Sequence, residues 1–159
     1  MGNGSVIRPG ELQLMRAGRG VLHSEYNHSQ TEAVHFLQIW ILPDQLGLDP
    51  AYEQRQFSLP ERTNALCLMA SRDGRDGSVT IHQDVSLYAS ILEAGNSVTH
   101  EPGDNRLAFV QIVSGEVEVN GKVLTAGDGA QIANVGTVTI SAATEAEFLL
   151  FDLAPVAIR

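Results

Sequence analysis

The sequence predicts an all-β fold, a sandwich or closed barrel of short strands. Three observations carry that prediction. Short runs alternate apolar and polar side chains: Val79 and Ile81 with Thr80 and His82, then Val85, Leu87, Ala89 and Ile91 with Ser86, Tyr88 and Ser90. That is the period of a strand with one buried face. Turn signals separate the runs, among them Asp73-Gly74, Asp76-Gly77, Ser114-Gly115 and Asn120-Gly121, the last being the strongest hairpin signal in the chain. No long helical period and no short internal repeat competes with them.

Taken in order, residues 1–10 read as a loop rich in glycine and polar residues, and Glu11–Met15 as a short strand. Gly18 and Gly20 permit a tight turn, because a residue without Cβ reaches positive φ without a clash. A strand is expected over Val21–Tyr26, then a polar loop over Asn27–Glu32. Val34–Leu42 carries the strongest strand signal of this half: Leu37, Ile39 and Ile41 share one face, Phe36 and Trp40 the other, so both faces call for cover. Pro43 ends it. Tyr52–Phe57 reads as extended, and Leu59-Pro60-Glu61-Arg62 as a helical turn. Further strands are expected over Ala65–Ala70, Leu107–Val113, around Val117 and Val119, Lys122–Leu124, Ala130–Ile132, Val138–Ile140 and Phe148–Leu153.

The totals narrow the function classes. The chain has 159 residues, enough for one good core and part of another. Its formal net charge of −9 disfavours nucleic acid, whose phosphates need a basic face, and an anionic membrane surface. The single cysteine, Cys67, lies in the apolar run Leu66-Cys67-Leu68-Met69. It forms no disulfide within one chain and reads as a small buried hydrophobe. The first residues lack the apolar core of a signal peptide, no run is long enough to span a bilayer, and the cytoplasm is the expected compartment.

Chemistry concentrates in Ala17-Gly18-Arg19-Gly20-Val21-Leu22-His23-Ser24-Glu25. On a strand, His23 and Glu25 point the same way, as half of a metal site or as an acid/base pair. Gln13 and Met15 also share a side and, with His35, are candidates for lining one pocket. His28 and His35 are the nearby sources of further ligands, and a second chain is another. Glu11, Asp84, Glu116 and Glu118 are expected on solvated faces or turns.

The run from Pro9 to Phe57, with its Ala17-Gly18-x-Gly20-Val21-x-His23-Ser24-Glu25 motif, resembles the pirin family. The resemblance continues through Asp73-Gly74-Arg75-Asp76-Gly77-Ser78, Ile81-His82-Gln83-Asp84 and Phe151-Asp152-Leu153. Pirins are two-cupin proteins, some of which act as quercetin 2,3-dioxygenases. The resemblance implies a cupin, jelly-roll β-sandwich: a partial N-terminal cupin over 1–57 and a complete C-terminal one over 58–159. It also implies one metal, usually iron, held in the N-terminal cupin by three histidines and a glutamate. His23 and Glu25 match two of these ligands. The other two belong to a His-x-His upstream of the motif and have no counterpart here. In the family the C-terminal cupin generally holds no metal, and His100, which has no His-x-His beside it, is expected to be structural.

Two donors on one strand do not fix the coordination of an ion. The expected function is therefore a non-catalytic binding or interaction module without a bound cofactor, for a small-molecule or protein partner. The alternative is a quercetin 2,3-dioxygenase-like oxygenase that uses iron or another divalent metal, its site completed by other residues or a second chain. Half a jelly roll also leaves apolar faces and a strand edge open to water. Each large apolar side chain covered is worth roughly 1.5–3 kcal/mol, so a homodimer through the N-terminal part is expected.

Overall fold

The computed structural model describes residues 4–155. The expected loop over residues 1–10 is present from Gly4, and its first three residues lie outside the described range. Twelve strands follow: β1 (Glu11–Arg16), β2 (Ala51–Gln56), β3 (Cys67–Ser71), β4 (Val79–Thr80), β5 (Val85–Leu92), β6 (Ser97–His100), β7 (Leu107–Ser114), β8 (Glu116–Val119), β9 (Lys122–Thr125), β10 (Gly129–Ala133), β11 (Val138–Ser141) and β12 (Ala146–Leu153). The expected helical turn is α1 (Leu59–Arg62). It starts at Ser58, whose amide donates to the Glu61 carboxylate at 2.7 Å, satisfying a donor that the first turn leaves free.

The strands form three sheets. β10-β7-β12-β5-β3-β4 make a six-stranded sheet, β6-β11-β8-β9 a four-stranded one, and β1-β2 a separate antiparallel pair. Strand alternation sorts the six-stranded sheet into two apolar faces. On β12, Ala146, Phe148 and Leu150 face the four-stranded sheet. With Leu92, Val110, Ile112, Val117, Val119, Val138 and Ile140 they form the core of the sandwich. The opposite face, through Val85, Leu87 and Ala89, packs with Phe57, Met69, Val79 and Ile81, and Leu12, Leu14 and Ile41 lie against it. The β1-β2 pair is thus held on the outside of the sandwich by its apolar face, which a two-stranded ribbon needs in order to persist in water.

Local signals explain the turns. Asn120 and Gly121 have φ of 47° and 81° and join β8 to β9 as the hairpin signal predicts. Gly18 and Gly20 both have positive φ, and the Gly20 amide donates to the Ala17 carbonyl at 2.8 Å. Gly115, at φ 77°, is tightly constrained within the sandwich. A Cβ there would lie 2.5 Å from the Glu145 carbonyl oxygen and 2.8 Å from Ala146. Gly115→Ala combines a left-handed backbone with a backbone clash, and should cost about 2–3 kcal/mol in a denaturant titration.

Two expected strands are absent. Residues 21–26 and 34–42 form no strand, and the backbone–backbone hydrogen bonds outside helices and strands do not involve residues 21–42. A strand exists only where a neighbour takes its amides and carbonyls. The described chain supplies no such neighbour to these stretches. Val34–Leu42 also does not obtain cover on both faces: Ile41 packs against the outer cluster, while Phe36, Leu37, Ile39 and Trp40 are exposed. Strand β6 was not expected; Ser97–His100 is short and half polar, too weak a pattern to stand out from a loop.

Cys67 is half-buried rather than fully buried and packs against the outer cluster. Burial pushes its thiol pKa up, which fits a small hydrophobe and not a nucleophile. Glu116 and Glu118 stand on the exposed face of β8, as expected. No helix of the described residues is long and apolar enough to cross a membrane.

Candidate functional site

Two places hold groups capable of chemistry. The first is the segment that bears His23 and Glu25. Both side chains are exposed, and their segment is irregular, so no strand register aligns them on one face. His28 and His35 are exposed too. Among the described residues no group of three or more His, Cys, Asp or Glu side chains is arranged to hold a metal ion. His23 and Glu25 offer donors of the right type for a divalent metal, but in number and fixity they do not fit a first shell.

Gln13 and Met15 point away from the outer cluster, opposite Leu12 and Leu14. Gln13 lies in a polar row across β1 and β2. Its amide donates to the Tyr52 hydroxyl at 2.6 Å, Tyr52 donates to Gln54 at 2.6 Å, and Gln54 donates to Glu11 at 2.8 Å. Met15 is the register partner of Tyr52. Gln13, Met15 and His35 line neither of the two cavities described below. Glu11, expected on a solvated face or turn, also accepts the Arg8 amide at 2.6 Å.

The second place is one end of the sandwich, where β12 carries Asp152 in line with the inward-facing Leu150 and Phe148. The Asp152 carboxylate accepts from His100 Nε2 at 2.9 Å and from Arg106 Nε. Arg106 Nη1 also donates to Asp84 at 3.0 Å, and Arg106 Nη2 to the Asp152 carbonyl at 3.2 Å. The Tyr88 ring lies against His100 with centroids 5.3 Å apart. Next to Tyr88 on β5, Ser86 accepts from Arg75 at 2.7 Å.

His100 ends β6 in one sheet and Asp152 lies on β12 in the other, so the pair ties the two sheets together. Burial of the Asp152 carboxyl works to raise its pKa. Hydrogen bonds from His100 and Arg106 outweigh that, and the group is held below the usual carboxylate range. Each charged group of the cluster has a partner of opposite charge, as buried charges require. The arrangement is a lock: each Asp152 carboxylate oxygen already accepts a hydrogen bond from a basic side chain of the same chain.

The expected structural role of His100 matches this geometry. Asp84 does lie at a turn before β5, but it is ion-paired rather than merely solvated. Asp152 and Arg106 were not anticipated. The available signal was an acid that continues an inward apolar register. Arg106 gave none, since a lone arginine in a loop looks like any other.

Two shallow cavities also lie among the described residues. One, of ≈ 300 Å³, is lined by β8, β9 and β10 side chains including Val119, Leu124, Ala130 and Ile132. The other, of ≈ 200 Å³, lies where Leu37 and Ile39 approach Phe109, Leu149 and Phe151 on the outer face of the six-stranded sheet.

Residues 68–153 match the family described as quercetinase C-terminal cupin domain, and residues 1–41 match the family described as pirin. The chain is 42% identical over 156 residues to a quercetin 2,3-dioxygenase of Escherichia coli strain K12, covering 98% of this chain and 66% of that protein. It is 34% identical to a pirin-like protein of Caulobacter vibrioides, over 97% of this chain and 66% of the relative. The chain thus spans just under two thirds of the length of these curated relatives. Among solved structures, YhhW from Escherichia coli superposes with a TM-score of 0.91 at 41% identity, covering 100% of this chain and 67% of that one. The bacterial pirin YhhW in complex with nickel(II) superposes with a TM-score of 0.89.

Proposed function

The chain belongs to the pirin family of cupin proteins, and from that premise we propose that, as the 159-residue chain, it is a non-catalytic binding module. The observation that carries this reading is the placement of His23 and Glu25. They match two family metal ligands, yet both are exposed on an irregular segment, and among the described residues no group of three or more donors is arranged for a first shell. In the other half of the chain, His100 is committed to Asp152. The apolar cavity beside β9 and β10 suits a small, largely apolar ligand.

A second reading has specific support. The relatives carry the name quercetin 2,3-dioxygenase, and one solved relative binds nickel(II). On that reading the chain is an oxygenase whose metal site is completed by ligands from elsewhere, a second chain included.

Metal analysis separates the two. After loading with iron(II) or nickel(II) and desalting, the expected result is metal well below one equivalent, unchanged in His23→Ala, and no oxygen uptake with quercetin. One equivalent of metal that His23→Ala or Glu25→Gln abolishes would replace the first reading with the second.

A further inference from the structure

We infer that the crevice between β9 and β10 binds a small monocarboxylate, its apolar body held between the two sheets and its charge on Lys122. The inference rests on the binding-module reading and names the ligand class of that module.

The place is a gap in the sandwich. β9 is the terminal strand of the four-stranded sheet and β10 of the six-stranded one, so no further strand joins the sheets on that side. The cavity of ≈ 300 Å³ lies there, at the small end of the range for ligand pockets. Its lining residues fall between Val119 and Val135, inside the stretch that matches the quercetinase C-terminal cupin domain. Residues 1–57 take no part in its walls.

The walls come from inward registers. On one side, Ala130 and Ile132 stand opposite Val110 and Ala108 of β7, both buried in the core of the sandwich. On the other, Leu124 stands opposite Val117, and Lys122 opposite Val119. Directly opposed residues of an antiparallel pair share a face. Val117 and Val119 belong to the core, so Lys122 stands on the inward face. Its neighbour Val123 turns outward and is 59% exposed. The strand thus sets its charge inward and its valine to water, the opposite of what a solvated edge calls for.

The charge is singular as well as misplaced. Lys122 is the sole lysine of the chain and the only basic side chain between Leu107 and Pro155, a stretch with six carboxylates. None of those carboxylates lines the cavity. Among the described residues Lys122 makes no ion pair. Apolar walls take a hydrocarbon body, and one ammonium at their edge takes one negative charge. A second negative charge, as on a phosphate ester, would go unmatched in a chain of net charge −9. A sugar would leave hydroxyls unpaired against the walls. A monocarboxylate no bulkier than a single substituted ring meets both demands.

The test is an amide NMR titration of the metal-free 159-residue chain with phenylacetate and, separately, with phenylacetamide, which keeps the shape and lacks the charge. The expected result is saturable shifts centred on residues 119–135, with phenylacetate bound roughly tenfold more tightly than the amide. Lys122→Met keeps the apolar stem and should bring phenylacetate down to the level of phenylacetamide, leaving the latter unchanged. Lys122→Arg should restore the difference, and Ala130→Leu, which fills the crevice from the facing wall, should abolish binding of both. Equal affinities, an unaltered response in Lys122→Met, or shifts centred elsewhere would overturn the inference. So would the absence of saturable shifts into the millimolar range together with self-association of Lys122→Met, the result expected if this lysine serves only to keep an edge strand from pairing. The two readings fail separately. A failed titration on a chain that also retains no metal removes the ligand class and leaves the module reading standing, whereas one equivalent of metal held through His23 removes the module reading whatever the crevice binds.

Discussion

Asp152→Ala is expected to lower the thermal midpoint by roughly 6–12 °C. The carboxylate is buried in a register position that Phe148 and Leu150 otherwise fill. It is the common acceptor of His100 and Arg106. Removing it leaves a half-buried guanidinium with one carboxylate, Asp84, and an imidazole with none. Breaking one partner out of a buried pair costs about 3 kcal/mol or more, and a chain of this length loses roughly 2–4 °C per kcal/mol. Asp152→Asn retains an acceptor and should lose less.

The pH dependence has a definite sign. The Asp152 carboxyl titrates lower folded than unfolded. Its contribution is therefore complete above the unfolded aspartate value of about 3.9, and it is lost as pH falls through the still lower folded value. Thermal melts at neutral pH should separate wild type from Asp152→Ala fully, and melts well below pH ~4 should bring them together. Equal melts at neutral pH would mean that the two sheets do not depend on this lock.

The sandwich was legible because its strands, β6 excepted, carry their own evidence. Val85–Ile91 alternates cleanly and Phe148–Leu153 is an almost unbroken apolar run, and in the structure β5 and β12 pair from Val85 opposite Leu153 to Leu92 opposite Ala146. Asn120-Gly121 names its own turn. The N-terminal stretch was misread for the opposite reason. Val21–Tyr26 and Val34–Leu42 have strand composition, but a strand is completed by a partner that may be far away in sequence or in another chain, and composition does not report whether that partner exists. The same blindness hid the Asp152 lock. His100 was noticed as a histidine without His-x-His. Nothing local shows that it faces an aspartate 52 residues later, because that contact depends on two sheets closing over one another. The same-face placement of His23 and Glu25 rested on strand alternation and has no strand behind it, whereas their match to two family ligands rests on the motif.

Phe148→Ala should be the most damaging single substitution of the core, lowering the midpoint by roughly 8–16 °C. The ring is fully buried at the centre of β12, opposite Ser90 on β5 and Ile112 on β7. Its loss removes apolar area and leaves a cavity that two flanking strands cannot close, a cost of about 4 kcal/mol. Because β5, β7 and β12 form the sheet that both apolar clusters share, the effect should be global. Hydrogen exchange should lose protection in every sheet, β1 and β2 included. Leu14→Ala, on the outer side, removes a half-buried contact of the β1-β2 ribbon alone and should raise exchange only in β1 and β2, with little change in the midpoint of the sandwich. If Leu14→Ala lowered protection in β7 and β11 as much as Phe148→Ala does, the ribbon would be an integral part of the core rather than an attachment to its outer face.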